Sequence, residues 1–397
     1  MWKGARAAAL RRAAQCVSIA AQCVLIMPVM AQEWALVPEA VATIEHNTNP
    51  LFLVSDAEAA TGVVGTAGVE LSYETPEARA RLRPRARSYR YGHDDADLNR
   101  DDQFLSAGYA AQAERYRWSI DGDYNRESTL TSELESTGLV YGNFRRTTQL
   151  VVPTVAVDVT ENVLVRVSGS YMSSNYDAPL ESGLIDYINQ SVDATVETVE
   201  SETVSWSFGA YQSELRVDDI GRTTVTQGIQ GKGMWFIHDN LNLDFQLGTR
   251  RSMHEFKGGS DVFRLEDRGW LMAANARREW ERSTMTVGLS RSVDPSTNGS
   301  LQQRDRLKLS ADRALTETLS VLGSAEVSRF HYLGDSDNNF DRYYQRLDGR
   351  GRWQWSRAWA LEAGVSVDWQ GAQNSDNEAR RAVISVGVSW RDEDGWL

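Results

Sequence analysis

Trp359-Ala360-Leu361-Glu362-Ala363-Gly364-Val365-Ser366-Val367-Asp368-Trp369-Gln370 separates into two chemical sets by parity. The odd positions hold Trp359, Leu361, Ala363, Val365, Val367 and Trp369. The even positions hold Ala360, Glu362, Gly364, Ser366, Asp368 and Gln370. Successive side chains of a strand point to opposite faces, so this segment has one apolar and one polar face. A helix would space its apolar residues three and four apart, and these are not so spaced. Tyr116–Asn125 repeats the pattern, with Tyr116, Trp118, Ile120 and Tyr124 against Arg117, Ser119, Asp121, Asp123 and Asn125. Val163–Tyr171, Leu241–Leu247 and Ala382–Trp390 alternate in the same way.

Working outward, eighteen such segments are found at 35–46, 63–74, 78–91, 103–114, 116–128, 145–159, 163–176, 187–199, 203–215, 222–237, 241–253, 268–280, 283–292, 303–315, 318–332, 341–355, 358–370 and 380–391. The two that alternate least, 187–199 and 222–237, would leave sixteen if they were loops. Connections alternate between short ones, such as Thr75-Pro76-Glu77, Thr160-Glu161-Asn162 and Ser356-Arg357, and long polar ones, such as 129–144, 177–186, 254–267, 293–302 and 333–340. Transmembrane barrels have short periplasmic turns and long external loops. The predicted fold is therefore an all-β, antiparallel up-and-down transmembrane barrel of about eighteen strands. Both termini would be periplasmic and no plug domain is expected.

The N-terminus agrees. Lys3, Arg6, Arg11 and Arg12 precede a mostly apolar run from Ala13 to Val29, and Val29-Met30-Ala31 reads as a cleavage site. Residues 1–31 are thus expected to be a secretory signal peptide and 32–397 the barrel. The run is shorter than the roughly 20 residues a spanning helix needs. Removing it takes away both cysteines, Cys16 and Cys23, and four basic residues, leaving 38 basic against 55 acidic residues, or −17. A cysteine-free exported chain is no disulfide-stapled domain, and its acidity argues against nucleic acid as a partner. A chain this polar can cross a bilayer only as a closed barrel, because lipid tolerates no unpaired backbone groups.

Tryptophans fall where such a barrel meets the membrane surface. Trp118, Trp206, Trp235, Trp280, Trp355, Trp359 and Trp390 sit at segment ends, mostly beside short turns. Tyr89, Tyr124, Tyr171, Trp270, Tyr332 and Trp369 are expected to form the opposite girdle.

Function is sought in the lumen. If apolar residues face lipid, then Arg79, Arg81, Arg83, Arg85 and Arg87 project inward from one strand, and Arg342, Arg346, Arg350 and Arg352 from another. Arg250, Arg277, Arg306 and Lys308 follow by the same parity. Guanidinium groups bind carboxylate, sulfate or phosphate bidentately, and rings of Arg and Lys select anions in pores. Against this, Glu70, Glu74 and Glu114 lie beside the first ladder, and Glu326, Glu362 and Asp368 beside the second. Each arginine is equally well explained as half of a wall-stiffening ion pair. The five histidines, His46, His93, His238, His254 and His331, carry no spacing that suggests a hydrolase site. Acidic stretches at Asp94-Asp95, Asp101-Asp102 and 334–339 match no complete metal-binding loop. No catalytic residue, metal or cofactor is assigned.

Val37-Pro38, Ile44-Glu45-His46-Asn47-Thr48-Asn49-Pro50, Ser170-Tyr171 to Asn175-Tyr176, Ile185-Asp186-Tyr187-Ile188-Asn189 and Trp206-Ser207-Phe208-Gly209 carry a resemblance. The sequence resembles outer-membrane barrels encoded with exopolysaccharide biosynthesis genes. That resemblance implies a channel that secretes an anionic polysaccharide with periplasmic export proteins. Its other expected partners are outer-membrane lipid or lipopolysaccharide and the barrel-assembly machinery. Two readings stand beside it: a general or anion-preferring diffusion porin, and an outer-membrane hydrolase. The chain departs from the usual terminal aromatic, ending Gly395-Trp396-Leu397, so Trp390 is expected to close the last strand.

Overall fold

A computed structural model of the chain describes residues 33–92, 98–136, 143–177, 182–258, 261–333, 341–372 and 378–392. The expected signal peptide and the acidic stretches at 94–95 and 334–339 lie outside them.

Eighteen strands form one sheet. They are β1 Glu33–Asn47, β2 Ala60–Glu74, β3 Ala78–Tyr91, β4 Arg100–Ala113, β5 Tyr116–Ser128 and β6 Arg145–Thr160. Next come β7 Val163–Asp177, β8 Tyr187–Ser201, β9 Val204–Val217, β10 Arg222–His238, β11 Leu241–Gly258 and β12 Asp261–Trp280. Last are β13 Ser283–Pro295, β14 Leu301–Ala314, β15 Leu319–Leu333, β16 Arg342–Gln354, β17 Trp359–Ala372 and β18 Glu378–Arg391. Every pairing is antiparallel, and all but the closing one join sequence neighbours, as in Ala40↔Ala67 of β1–β2 and Trp359↔Trp390 of β17–β18. The sheet closes where Ala40 of β1 meets Trp390 of β18, the residue expected to end the last strand.

Register assigns the faces, because residues directly opposite each other share a side. Val365, Ile384, Val386 and Ile44 lie outside, while Ser366, Ser385 and Thr43 lie inside. On β17 the outward Trp359 and Trp369 are ten residues apart. At about 3.3 Å per residue and a tilt near 40°, that is an apolar belt roughly 25 Å tall, the height of a bilayer's hydrocarbon layer. The short-turn end carries an aromatic girdle in ring contact: Trp34 with Tyr73, Tyr109 with Trp118, Trp206 with Phe245, and Trp353 through Trp355 and Trp359 to Trp390.

Two expectations are corrected, and the choice between sixteen and eighteen strands is decided. The segment 254–267 is not a loop but the upper part of β11 and β12, paired from Gly258↔Asp261 downward. Its charges mimic a loop because they form cross-strand pairs above the belt, Arg251 with Glu266 and Arg264 with Glu255. Tyr89 and Tyr332 do not belong to the outer girdle. Both have lumen parity and are buried, while Tyr124, Tyr171, Trp270 and Trp369 do face outward. The doubtful segments 187–199 and 222–237 are both strands; the second alternates poorly because Gly231 and Gly233 stand at outward positions while Met234 and Phe236 share the lumen face.

Candidate functional site

The two arginine ladders line one space. Arg83, Arg85 and Arg87 of β3 and Arg346 and Arg350 of β16 border a recess of about 510 Å³, together with Glu39, Thr43, Glu45, Thr66, Asp348 and Glu362. Four strands separate β3 from β16, so closure of the barrel is what unites them. Arg79 and Arg81 lie further along β3 in an adjoining recess of about 760 Å³ that also reaches Arg83. All five arginines of β3 therefore follow one track. Arg342 and Arg352 share the lumen face of β16 but lie outside the main recess. Arg100 and Arg381, both lining it, were missed. Arg381 has the same parity signal in 380–391, whereas Arg100 precedes the expected start of its strand.

Ion pairing divides the arginines unequally. Arg81 meets Glu70 at 2.8 Å, and Arg352 meets Glu362 at 3.2 Å. Arg83 reaches past β2 to Glu39 of β1, at 2.9 and 3.0 Å. The β2–β3 ladder skips residues 69–70 beside Pro84, which has no N–H to give, and this gap lies next to Arg83. Buried Asp368 is held by Arg381 at 2.8 Å and by the Tyr344 hydroxyl at 2.7 Å, with Arg346 at 3.9 Å. Glu326 is taken by Arg304 and Arg306 of β14, not by the second ladder. Glu74 lies opposite Arg79 without pairing to it, and Glu114 pairs with neither ladder.

Some charge is left over. Among the described residues, Arg79, Arg85 and Arg350 make neither a hydrogen bond nor an ion pair; Arg85 packs its guanidinium 4.6 Å from the Phe104 ring centre. The recess is lined by seven arginines (83, 85, 87, 100, 346, 350 and 381) against Glu39, Glu45, Asp348 and Glu362, a net +3. Counting Asp368 behind the wall still leaves +2. Asp121 and Asp123 of β5 make no ion pair among the described residues and line the adjoining recess with Arg79, Arg81, Arg83, Glu70 and Glu74, so the excess of positive charge belongs to the main recess and not to that one. Arg250, Arg277 and Arg306 are lumenal as expected but neutralised by Asp267, Glu279 and Glu326.

The long-loop end narrows the opening. After β1, Asn49 takes the Leu53 N–H and donates to the Leu53 and Arg380 carbonyls, which folds the chain inward. Phe52, at a left-handed φ of 55°, is driven between Phe330, Tyr344 and Ala379, with Arg381 5.2 Å from its ring centre. Opposite, α1 (Thr129–Ser136) follows β5, in a stretch expected to be loop. Its Leu130 and Thr131 border the arginine recess, and its fully buried Glu133 is held by Arg146 at 3.1 Å and by the Tyr176 hydroxyl at 3.0 Å. Elsewhere on the rim, Leu184 of the β7–β8 connection and Val217, Leu301 and Leu333 at the upper ends of β9, β14 and β15 form one apolar cluster. Ile185 N–H donates to the Thr297 carbonyl there at 2.9 Å.

Among the described residues no histidine-centred hydrolase site is assembled. His46, His254 and His331 bond to Thr61, Thr224 and Asp341, on separate parts of the wall. Asp101 and Asp102 are engaged by Arg90 and Arg145, and no cluster of three metal-ligating side chains occurs among the described residues.

No protein-family model matches the sequence, and no curated protein is significantly similar to it. Solved structures do match the fold. OccK2 (OpdF) of Pseudomonas aeruginosa, in complex with glucuronate, is 10% identical with a TM-score of 0.50; the match covers 90% of this chain and 98% of that one. The FrpB iron transporter of Neisseria meningitidis (F5-1 variant, apoprotein form) is 7% identical with a TM-score of 0.50, covering 91% of this chain and 82% of that one. These similarities identify the architecture as that of outer-membrane barrels.

Proposed function

We propose that this protein is a non-enzymatic diffusion channel of a Gram-negative outer membrane that prefers small anions. The observation that carries the reading is the net positive recess below the narrowed mouth, in which Arg85 and Arg350 keep their charge uncompensated. A guanidinium without an acid partner offers an anion a charge-assisted hydrogen bond at no cost of breaking an existing pair. Arg79 and Arg85 on β3 and Arg350 on β16, which no carboxylate engages, supply several weak binding steps, as conduction requires. The short turns at the tryptophan-rich end favour a periplasmic position for both termini.

Glucuronate bound to OccK2 is a small sugar carboxylate, and such an anion suits a mixed lining of arginines, hydroxyls and carboxylates. The inward-folded β1–β2 connection and α1 favour small solutes over a polymer chain. Secretion of an anionic exopolysaccharide therefore rests on the sequence resemblance alone. Reversal potentials across a planar bilayer under a KCl gradient test the proposal directly. Chloride should permeate better than potassium, and a potassium-selective pore would overturn it.

A further inference from the structure

The outer surface of β9–β12 differs from the rest of the belt. Register sets its outward residues in three rows: Phe208–Gly231–Leu247–Met272, above it Ala210–Ile229–Thr249–Trp270, and above that Gln212–Gln227–Arg251–Arg268. Phe208, Ile229 and Leu247 stand 62, 65 and 60% exposed around Gly231, which has no side chain to fill the space between them. The result is an apolar groove of about 670 Å³ that runs up to Trp270.

The third row begins where the belt ends, about 10 Å above the first by strand rise and tilt. Arg251 binds Glu266 through Nη2 alone at 2.7 Å, and Arg268 binds the same carboxylate through Nε alone at 2.6 Å. Arg268 is 75% exposed, so its terminal nitrogens remain open to a ligand. Arg291 of β13 covers the Trp270 ring at 4.2 Å. The β12–β13 ladder stops at Met272↔Arg291, although β12 continues to Asp261. At the level of Trp270 and Arg268 the strand edge therefore has no backbone partner among the described residues. Unpaired N–H groups at a bilayer surface call for a polar acceptor.

We propose that this face holds one lipid of the outer leaflet, with an acyl chain in the Gly231 groove and a phosphorylated headgroup on Arg251, Arg268 and the free edge of β12. An apolar slot topped by arginine donors matches a molecule with a hydrocarbon chain below a phosphate, and arginine is suited to phosphate by its bidentate fork. The inference rests on the bilayer belt and not on what passes through the lumen.

Native mass spectrometry of the full detergent-purified chain tests it, with diphosphorylated lipid A and fully dephosphorylated lipid A as probes. One diphosphorylated lipid should remain bound per barrel, held roughly tenfold more tightly than the dephosphorylated one. Arg251→Gln/Arg268→Gln should remove that preference, and Gly231→Leu, which fills the groove, should weaken both lipids. Retention of the folded-barrel gel mobility shows that each variant is intact. Equal binding of both lipids, or no effect of either variant, overturns the proposal. So does a lipid-free dimer that Gly231→Leu abolishes, since a second copy would then occupy the face.

Discussion

Arg85→Gln/Arg350→Gln removes two charges that no hydrogen bond or ion pair engages among the described residues, and its effect on permeation can be worked from the structure. Both side chains border the same recess, so a permeating anion passes each at close range. At about 5 Å in water-like surroundings, one unit charge contributes roughly 0.8 kcal/mol, or about a factor of four in occupancy. Two give on the order of tenfold once screening at physiological ionic strength is included. Cations gain what anions lose, so the chloride-to-potassium permeability ratio should fall by more than that. The assay is the reversal potential of single channels in a tenfold gradient of dilute KCl, repeated near 1 M. There the Debye length is about 3 Å and the difference should nearly vanish. Arg90→Gln is the control, because Arg90 lies on the outer face paired with Asp101 at 2.8 Å. A double variant with unaltered selectivity at low salt, or an Arg90→Gln effect of equal size, would refute the reasoning.

Phe52→Gly should widen the pore. A non-glycine residue at φ 55° costs about 1–3 kcal/mol that only its packing on Phe330 and Tyr344 offsets, so the variant should raise single-channel conductance while heat stability holds. Arg146→Ala strands the fully buried Glu133 and should destabilise the docking of α1 by about 3–5 kcal/mol. Protease cleavage within 129–136 in the folded barrel would register this, and the Arg146→Met/Glu133→Gln pair should be largely protected. Val386→Arg places a charge on the lipid face and should cost about 2–4 kcal/mol in urea titrations of the bilayer-folded protein, against little for the lumenal Ser385→Arg. Equal costs would contradict the assignment of faces.

The strand pattern was readable because lipid and lumen impose opposite chemistry on alternate residues, and that survives in sequence even where single strands are irregular. Loops are harder. Between 254 and 267 the outward residues leave the hydrocarbon layer while the backbone stays paired, so polarity marked the edge of the belt and not the end of the strand. Tyr89 and Tyr332 were misplaced for a related reason: height along a strand was read correctly but parity was not applied to them. The lumenal parity of all nine ladder arginines was legible from sequence. Their partners were not, since Arg83 bonds to Glu39 across an intervening strand, a contact made over Gly68 beside a proline-broken ladder. Phe52 and α1 carry no periodic signal, because their burial depends on loops meeting the wall.

What separates two of the uncompensated arginines from the paired ones is the residue beside them. Arg85 stands between Gly68 on β2 and Phe104 on β4; Arg350 stands between Leu322 on β15 and Gly364 on β17. Each has a glycine on one side and an apolar residue on the other, so no carboxylate stands directly opposite it in the ladder, and Glu39, which lies over Gly68, is taken by Arg83. Arg352, two residues along the same strand, lies opposite Glu362 and is bound by it. Arg79 is the exception, for it faces Glu74 without pairing. Because same-face neighbours across a ladder decide which charges are neutralised, a wall of mostly paired arginines can still present positive charge at chosen heights. Pairing and transport were posed as competing explanations for each arginine in the sequence. In the closed barrel they belong to different members of the same ladder, with the paired residues holding the wall against which the unpaired ones are presented.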